Sequence, residues 1–294
     1  MLSGSAFSPG HVTGFFEIYD EAKDVRQKGS RGAGICLSMG VRTEVKVLKG
    51  KKQEIEILLN GRAETAPVTR HVVKRMVGDK KLKIQVESSV GLPSGQGFGM
   101  SGAGALSTAL ALSQALDLKL SENEMTCLAH EAEIACGCGL GDVMPQSRGG
   151  VVIRRKEGCH PYGLLESVDV RSADIVLCIV GESVSTKEII TDPIHKKRIN
   201  KHGARCLSEL LKHPDMHNMF KQSLQFARGT KFLTSAARKA IDAAGEFGYA
   251  SMSMLGNSIF AMGEAKPLAR ALQKYGNVYI CTIEKQGVRT VGGS

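Results

Sequence analysis

The chain of 294 residues reads as an α+β protein of two domains, and three observations carry that reading. Strand-like and helix-like runs occur in both halves. They do not alternate strictly as βαβ units, which argues against a doubly wound parallel sheet. Patterning weakens over Cys159–Ser172, so the division is placed at residues 1–165 and 166–294. No internal repeat or low-complexity segment interrupts either half.

Taken in order, Gly34–Val47 and Glu54–Leu59 alternate as strands, and the polar pair Asn60-Gly61 marks a turn after the second. Pro67–Val77 opens with a proline suited to the first turn of a helix. Leu82–Glu87 places Leu82, Ile84 and Val86 on one face of a strand. Five glycines from Gly95 to Gly104 follow, leading into an Ala/Leu-rich helix over Ala105–Leu116 with Ser101 at its start. Ser121-Glu-Asn-Glu124 has the form of a capping box, in which the serine caps the helix and the glutamate reaches back. The helix after it presents Met125, Leu128, Ala129, Ala132, Ala135 and Cys136 on one apolar face and ends at the glycines Gly137–Gly141. A short strand follows at Val151–Arg155. In the second half, strands are expected at Ile175–Val180, Asn257–Met262 and Val278–Ile283, and helices at Thr230–Ala244 and Lys266–Tyr275.

Composition excludes several classes of function. Hydrophobic content of 42% and charged content of 23% suit a globular protein. With no tryptophan and 5% aromatic residues, there is little to build a base-stacking surface for single-stranded nucleic acid. The net charge of +10 is spread along the chain, with one dense cluster from His195 to Arg198 continuing to Lys201 and His202. A cluster of this kind is a solvated helix face, so neither nucleic acid nor a membrane is expected as a partner. No apolar run approaches membrane-spanning length, and the N-terminus lacks a secretory apolar core, which points to the cytoplasm. Eight cysteines show no metal-ligand spacing: Cys136 and Cys138 sit too close together, and Cys36, Cys178 and Cys281 lie in apolar runs. They are expected to be reduced. A homodimer is carried as the expected assembly.

The chemistry concentrates in two glycine-rich segments. Leu92 to Ala105 joins a strand to a helix, and a helix N-terminus offers unpaired N–H groups and a positive dipole end to an anion. Phosphate is the natural guest. Neither the Walker A spacing nor the dinucleotide fingerprint is present, and a tight structural turn is the competing reading. Ser101 could cap the helix or offer its hydroxyl to magnesium beside bound phosphates. Downstream, Asp142 on Gly137-Cys-Gly-Leu-Gly-Asp142 could be a turn residue or a general base. Glu131 and Glu133 project about 200° apart on the preceding helix, so only one easily faces the site. Glu133 shares its flank with His130.

The segment Pro93-Ser-Gly-Gln-Gly-Phe-Gly-Met-Ser101 resembles the central motif of the GHMP kinases. Three further segments match that family in order: Phe7-Ser-Pro-Gly-His-Val-Thr-Gly14, Gly141-Asp142 with Gly149-Gly150, and Ser251-Met-Ser-Met-Leu-Gly256. Met100 and Gly102 depart from the family's serine and alanine, while Ser101 keeps the second serine. His11 stands where the family has arginine or lysine, which leaves the role of that first motif open. The Met-Ser-Gly-Ala-Gly run, Lys28-Gly-Ser-Arg-Gly-Ala-Gly34 and Ser251–Asn257 resemble an archaeal branch that phosphorylates the primary hydroxyl of pantoate on the way to coenzyme A.

The resemblance implies a ribosomal protein S5 domain 2-like N-terminal domain and a ferredoxin-like C-terminal domain. It also implies transfer of the ATP γ-phosphoryl group to an alcohol with Mg2+. Phosphate contacts fall to Gly95, Gly97, Gly99, Ser101, Gly102 and Ala103, and the general base is Asp142. The metal falls to Ser101 with Glu133, Glu131 being the alternative that family spacing favours. The pantoate carboxylate needs a cation or strong donor, for which Lys28, His130 and Arg154 are candidates, and Thr186 could add a hydroxyl. A sister kinase acting on mevalonate, homoserine or shikimate, a non-catalytic metabolite sensor, and a nucleic-acid-binding module are the competing readings.

Overall fold

In a computed structural model that describes residues 1–292, the chain opens as one long antiparallel pair, β1 (Leu2–Tyr19) and β2 (Gly29–Lys49). The register runs from Leu2 opposite Val47 to Tyr19 opposite Gly29, with irregularities at Pro9/Gly10 and Thr13/Phe15. β3 (Glu54–Leu59) turns through Asn60 and Gly61 into the short β4 (Arg62–Ala63). Both turn residues have positive φ, 49° and 76°, as a tight hairpin of two residues demands. Helix α1 (Pro67–Val77) then crosses over to β5 (Leu82–Val90), which lies parallel to β3.

Helix α2 runs from Met100 to Ala115, starting five residues before the expected Ala105, so Gly102 and Gly104 lie inside its first turns. Helix α3 (Glu122–Cys136) begins with the expected capping box complete. Its buried stripe differs from the expected one. Ala135 is exposed, while His130 and Glu133 are buried beside Met125, Ala129 and Ala132. A helix that buries an imidazole and a carboxyl in place of alkyl groups is shaped for something other than packing. Helix α4 (Val143–Arg148) leads into β6 (Val151–Lys156) and β7 (Leu164–Val168). β2 serves as the spine of this first sheet, pairing β1 on one side while β5 and β6 share the other.

The strand β7 straddles the boundary expected at 165/166 and pairs with β6 in the first sheet. A separate sheet begins at β8 (Asp174–Ile179). Between β8 and the next strand lie α5 (Thr186–Thr191), α6 (Pro193–Lys212), α7 (Met216–Thr230) and α8 (Ser235–Ala244). The helix expected over Thr230–Ala244 starts later, at Ser235, because Thr230 is the last residue of the preceding helix. Lys231 takes a left-handed conformation at φ 62°, and Thr234 caps α8 by accepting from Ala237 N–H at 3.1 Å. β9 (Gly248–Met252), β10 (Ser258–Gly263), α9 (Ala265–Leu272) and β11 (Asn277–Thr282) complete the second sheet. Its order β11-β8-β10-β9 is the fourth, first, third and second strand in sequence, the ferredoxin-like arrangement the resemblance implies. β12 (Arg289–Thr290) returns to the outer edge of β1.

One hydrophobic cluster joins the two sheets. It runs from Phe15 and Phe16 of β1 to Phe226 of α7 and Phe260 of β10, with Phe16 and Phe226 ring centroids 5.6 Å apart. Burying such aromatic pairs across the seam contributes both area and ring–ring attraction. All eight cysteines are free. Among the described residues no helix is long and apolar enough to cross a membrane.

The cap that starts α3 also fixes where His130 and Glu133 fall. Replacing Ser121 by alanine is expected to lower unfolding free energy by about 1 kcal/mol. Urea unfolding checks this, as a lower midpoint with an unchanged slope.

Candidate active site

The loop before α2 winds through Gly95, Gly97 and Gly99, all at positive φ, where a side chain would be strained. Gly99 is the helix N-cap and provides no side chain to occupy the first-turn N–H groups, which stay free for an anion. Ser101 is exposed at that end. The second domain closes over the loop from above. Ser258 Oγ donates to Gln96 O at 2.6 Å, and Val184 N–H donates to Gly95 O at 3.2 Å. Met254 N–H donates to Thr13 O at 2.8 Å, bringing the Ser251–Gly256 segment against β1.

Asp142 sits at the N-terminal end of α4, and His11 of β1 meets it. The His11 Nδ1 to Asp142 Oδ1 distance is 2.8 Å, and Thr13 Oγ1 donates to the same oxygen at 3.2 Å. His11 is fully buried, whereas the Asp142 side chain keeps 27% of its surface open. Burial pushes the His11 pKa down, so its ring is neutral at pH 7 and donates from Nδ1. For Asp142, burial alone would raise the pKa. The His11 hydrogen bond, the Arg154 charge and the Thr13 hydroxyl outweigh it and hold the carboxyl below its ordinary value.

Glu133 is 1% exposed and its Oε2 has no partner. Burial, followed by the Asp142 carboxylate, raises its pKa to about 8. Two glycines make room for it. A Cβ at Gly139 would stand 2.5 Å from Glu133 Oε1, and one at Gly102 would stand 2.9 Å from the same oxygen. Glu131 turns the other way, 3.7 Å from Arg75, and stands off the cavity. Arg154 of β6 is 2% exposed. Its Nη2 donates to Thr13 Oγ1 at 3.4 Å, while Nε and Nη1 have no partner. A buried guanidinium with unused N–H groups is a prepared site for an anion.

These groups surround a cavity of about 120 Å³. It brings together Gly95, Gly97, Gly99, Ser101, Glu133, Asp142, Arg154 and Thr186, with Phe16, Leu140 and Ile190 as apolar wall. Lys28 and His130 stand outside the lining. His130 Nε2 pairs with the Lys28 carbonyl at 2.9 Å, behind the neighbouring Ser30, which does line the cavity. Gly102 and Ala103 are buried in the first turn of α2. Sequence reasoning missed Thr13, Ser30 and Gln146 and left His11 unassigned. His11 and Thr13 meet Asp142 across 131 and 129 positions, and such long-range pairs leave no local signal.

Comparison with known proteins adds independent findings. The GHMP kinases N terminal domain model matches residues 66–150. Over 281 residues the chain is 36% identical to the pantoate kinase of Methanocaldococcus jannaschii, covering 94% of this chain and 99% of that one. It is 32% identical to the pantoate kinase of Thermococcus kodakarensis, covering 91% of this chain and 90% of that one. A solved structure described as a phosphotransferase related to the CoA biosynthesis pathway superposes with a TM-score of 0.88 at 29% identity, over 99% of both chains.

The raised pKa of Glu133 has a consequence for stability. The folded state holds this proton more tightly than the unfolded chain, whose value is near 4.5. Its contribution is fully present below pH 4.5 and is lost as pH rises through about 8. Glu133→Gln, a permanent mimic of the protonated acid, is therefore expected to melt above the parent at pH 9. The gap should narrow toward pH 5. Thermal melts without metal or nucleotide read this directly, and a gap independent of pH would contradict it.

Proposed function

The chain belongs to the GHMP kinase family, and on that premise we propose that it transfers the γ-phosphoryl group of ATP to the primary hydroxyl of pantoate, giving 4-phosphopantoate for coenzyme A synthesis. One observation carries the reading beyond the family. A phosphate-binding helix end, an ionised carboxylate and a buried guanidinium with unused donors face one cavity. A kinase for a hydroxy acid needs these three groups.

The free N–H groups at the start of α2 and its dipole hold the triphosphate. A groove beside the loop, lined by Leu59, Asn60, Val90 and Pro93, gives the nucleoside a path away from the cavity. Ser101 and Glu133 supply hard oxygen donors, and the partnerless Glu133 Oε2 fits a cation that shares its remaining ligands with phosphate. Magnesium bound there supplies charge neutralisation of the phosphates. Arg154 takes the pantoate carboxylate through its unused guanidinium N–H groups, which places the far end of this short acid toward Asp142. Thr186 and the apolar wall complete the enclosure.

Asp142 accepts a hydrogen bond from the attacking hydroxyl and takes its proton as the new P–O bond forms and the bond from the γ-phosphorus to the β,γ-bridging oxygen breaks, releasing ADP. Its low pKa suits a loose transition state, in which the hydroxyl must be aimed before it is deprotonated. His11 and Thr13 fix the carboxylate so that one oxygen stays free for the alcohol. Lys28 and His130 act behind the wall by bracing the segment that carries Ser30. Eight free cysteines suit a reducing compartment, and the cytoplasm is the proposed location.

A panel of alcohols under saturating Mg·ATP tests the reading, with 4-phosphopantoate as the expected product. Turnover of homoserine, mevalonate or shikimate without pantoate would overturn it. Asp142→Asn is expected to lower kcat by about 10²–10⁴-fold. Arg154→Lys keeps the charge but loses the fork, and should raise KM for pantoate on the order of tenfold, leaving KM for ATP unchanged.

A further inference from the structure

Gln146 lies outside the cavity lining, yet it touches both sides of the machinery. It stands one helical turn after Asp142, and its backbone N–H donates to the Asp142 carbonyl at 3.1 Å. Its side chain is fully buried, and Nε2–H donates to the Gly99 carbonyl at 2.8 Å. That carbonyl also accepts the Ala103 N–H at 3.0 Å, so the last residue of the phosphate loop is held by α2 and α4 together. We propose that Gln146 is a positioning residue that sets the separation between the phosphate-binding loop and Asp142, an inference resting on the kinase reading above.

Three features separate this role from ordinary packing. First, α4 is anchored without the side chain. Gly150 N–H donates to Glu284 O at 2.7 Å, Val288 N–H donates to Gln146 O at 3.0 Å, and Cys36 Sγ donates to Pro145 O at 3.2 Å. The amide's remaining effect therefore falls on Gly99. Second, Gln146 Oε1 is buried with no protein donor. A partnerless carbonyl oxygen is a cost that an apolar side chain of similar length would avoid. Third, the first turn of α2 is cut to fit it. A Cβ on Gly102 would stand 2.9 Å from Gln146 Oε1 and 2.9 Å from Glu133 Oε1. Glycine replaces the family's alanine at a point where a methyl group would press on the strut and on the carboxyl of Glu133.

In-line transfer is sensitive to this separation, because about 1 Å of misplacement can cost about 10²-fold in rate. Gln146→Met keeps length and burial but removes the donor. With pantoate and Mg·ATP, kcat is expected to fall about tenfold to a hundredfold, with both KM values within about twofold and melting nearly unchanged. Gly102→Ala should lower kcat too, and because its methyl also meets Glu133 Oε1 it should raise the Mg2+ concentration for half-maximal rate, which Gln146→Met should leave unchanged. An unchanged kcat in Gln146→Met, or a loss that follows melting temperature across the variants, would overturn the proposal. So would a raised Mg2+ requirement in Gln146→Met. A parent protein inactive on pantoate would instead count against the kinase reading, so the two failures are distinguishable.

Discussion

Arg154 carries a full positive charge at a place water barely reaches, and the site is organised around that constraint. A buried ion is tolerated only if opposite charge and hydrogen bonds replace its hydration. Asp142, ionised and held below its ordinary pKa, supplies one negative charge. Glu133, raised to about 8, is protonated at neutrality and supplies none. His11 is neutral because burial lowers its pKa. The four ionisable side chains of the site thus come close to electroneutral at pH 7.

That balance accounts for the histidine at position 11. A lysine or arginine at position 11 would put a second cation beside Arg154, with only one ionised carboxylate to share. Histidine keeps the hydrogen bond to Asp142 and drops the charge. The glycines around Asp142 have two separate causes. Gly137 takes φ 65° to end α3, whereas Gly139 is small because Glu133 occupies the space a side chain would need. Gly102 answers to the same carboxyl from the opposite side. Conformational freedom and close approach are different demands, and a glycine-rich motif can conceal both.

Much of this was legible in the sequence where the signal was local. Glu54–Leu59 and Pro67–Val77 form over the expected residues, and Ser121 with Glu124 makes the capping box its spacing implies. Local signals failed where tertiary contacts decide. The 18-residue β1 drew no strand expectation, because its small residues answer to α2 lying across it; a side chain on Gly4 would strike the Ala111 carbonyl. The left-handed Lys231 that ends α7 delays the helix expected from Thr230 to Ser235, and nothing local in the run marks it. In the site, Asp142, Ser101 and Arg154 could be named from motifs and chemistry. Helical phase separates the directions of Glu133 and Glu131 without saying which faces the cavity. The link from His11 to Asp142 spans 131 positions and appears only in three dimensions.

The two domains contribute unequal kinds of group to the shared cavity. His11, Thr13, Ser101, Glu133, Asp142 and Arg154, which set charge and proton position, all come from the first sheet and its helices. Thr186, Ile190, Met254 and Leu255, which set shape, come from the second. The phosphate loop is tied to both, through His11 N–H to Phe98 O at 2.9 Å on one side and Ser258 Oγ to Gln96 O on the other. A change along residues 184–190 can therefore reshape the substrate wall while the charge balance stays intact. A change at Arg154 cannot, because the same guanidinium offsets Asp142 and presents the free donors. Substrate choice through the wall is separable from catalysis here, whereas recognition of the acid group is not.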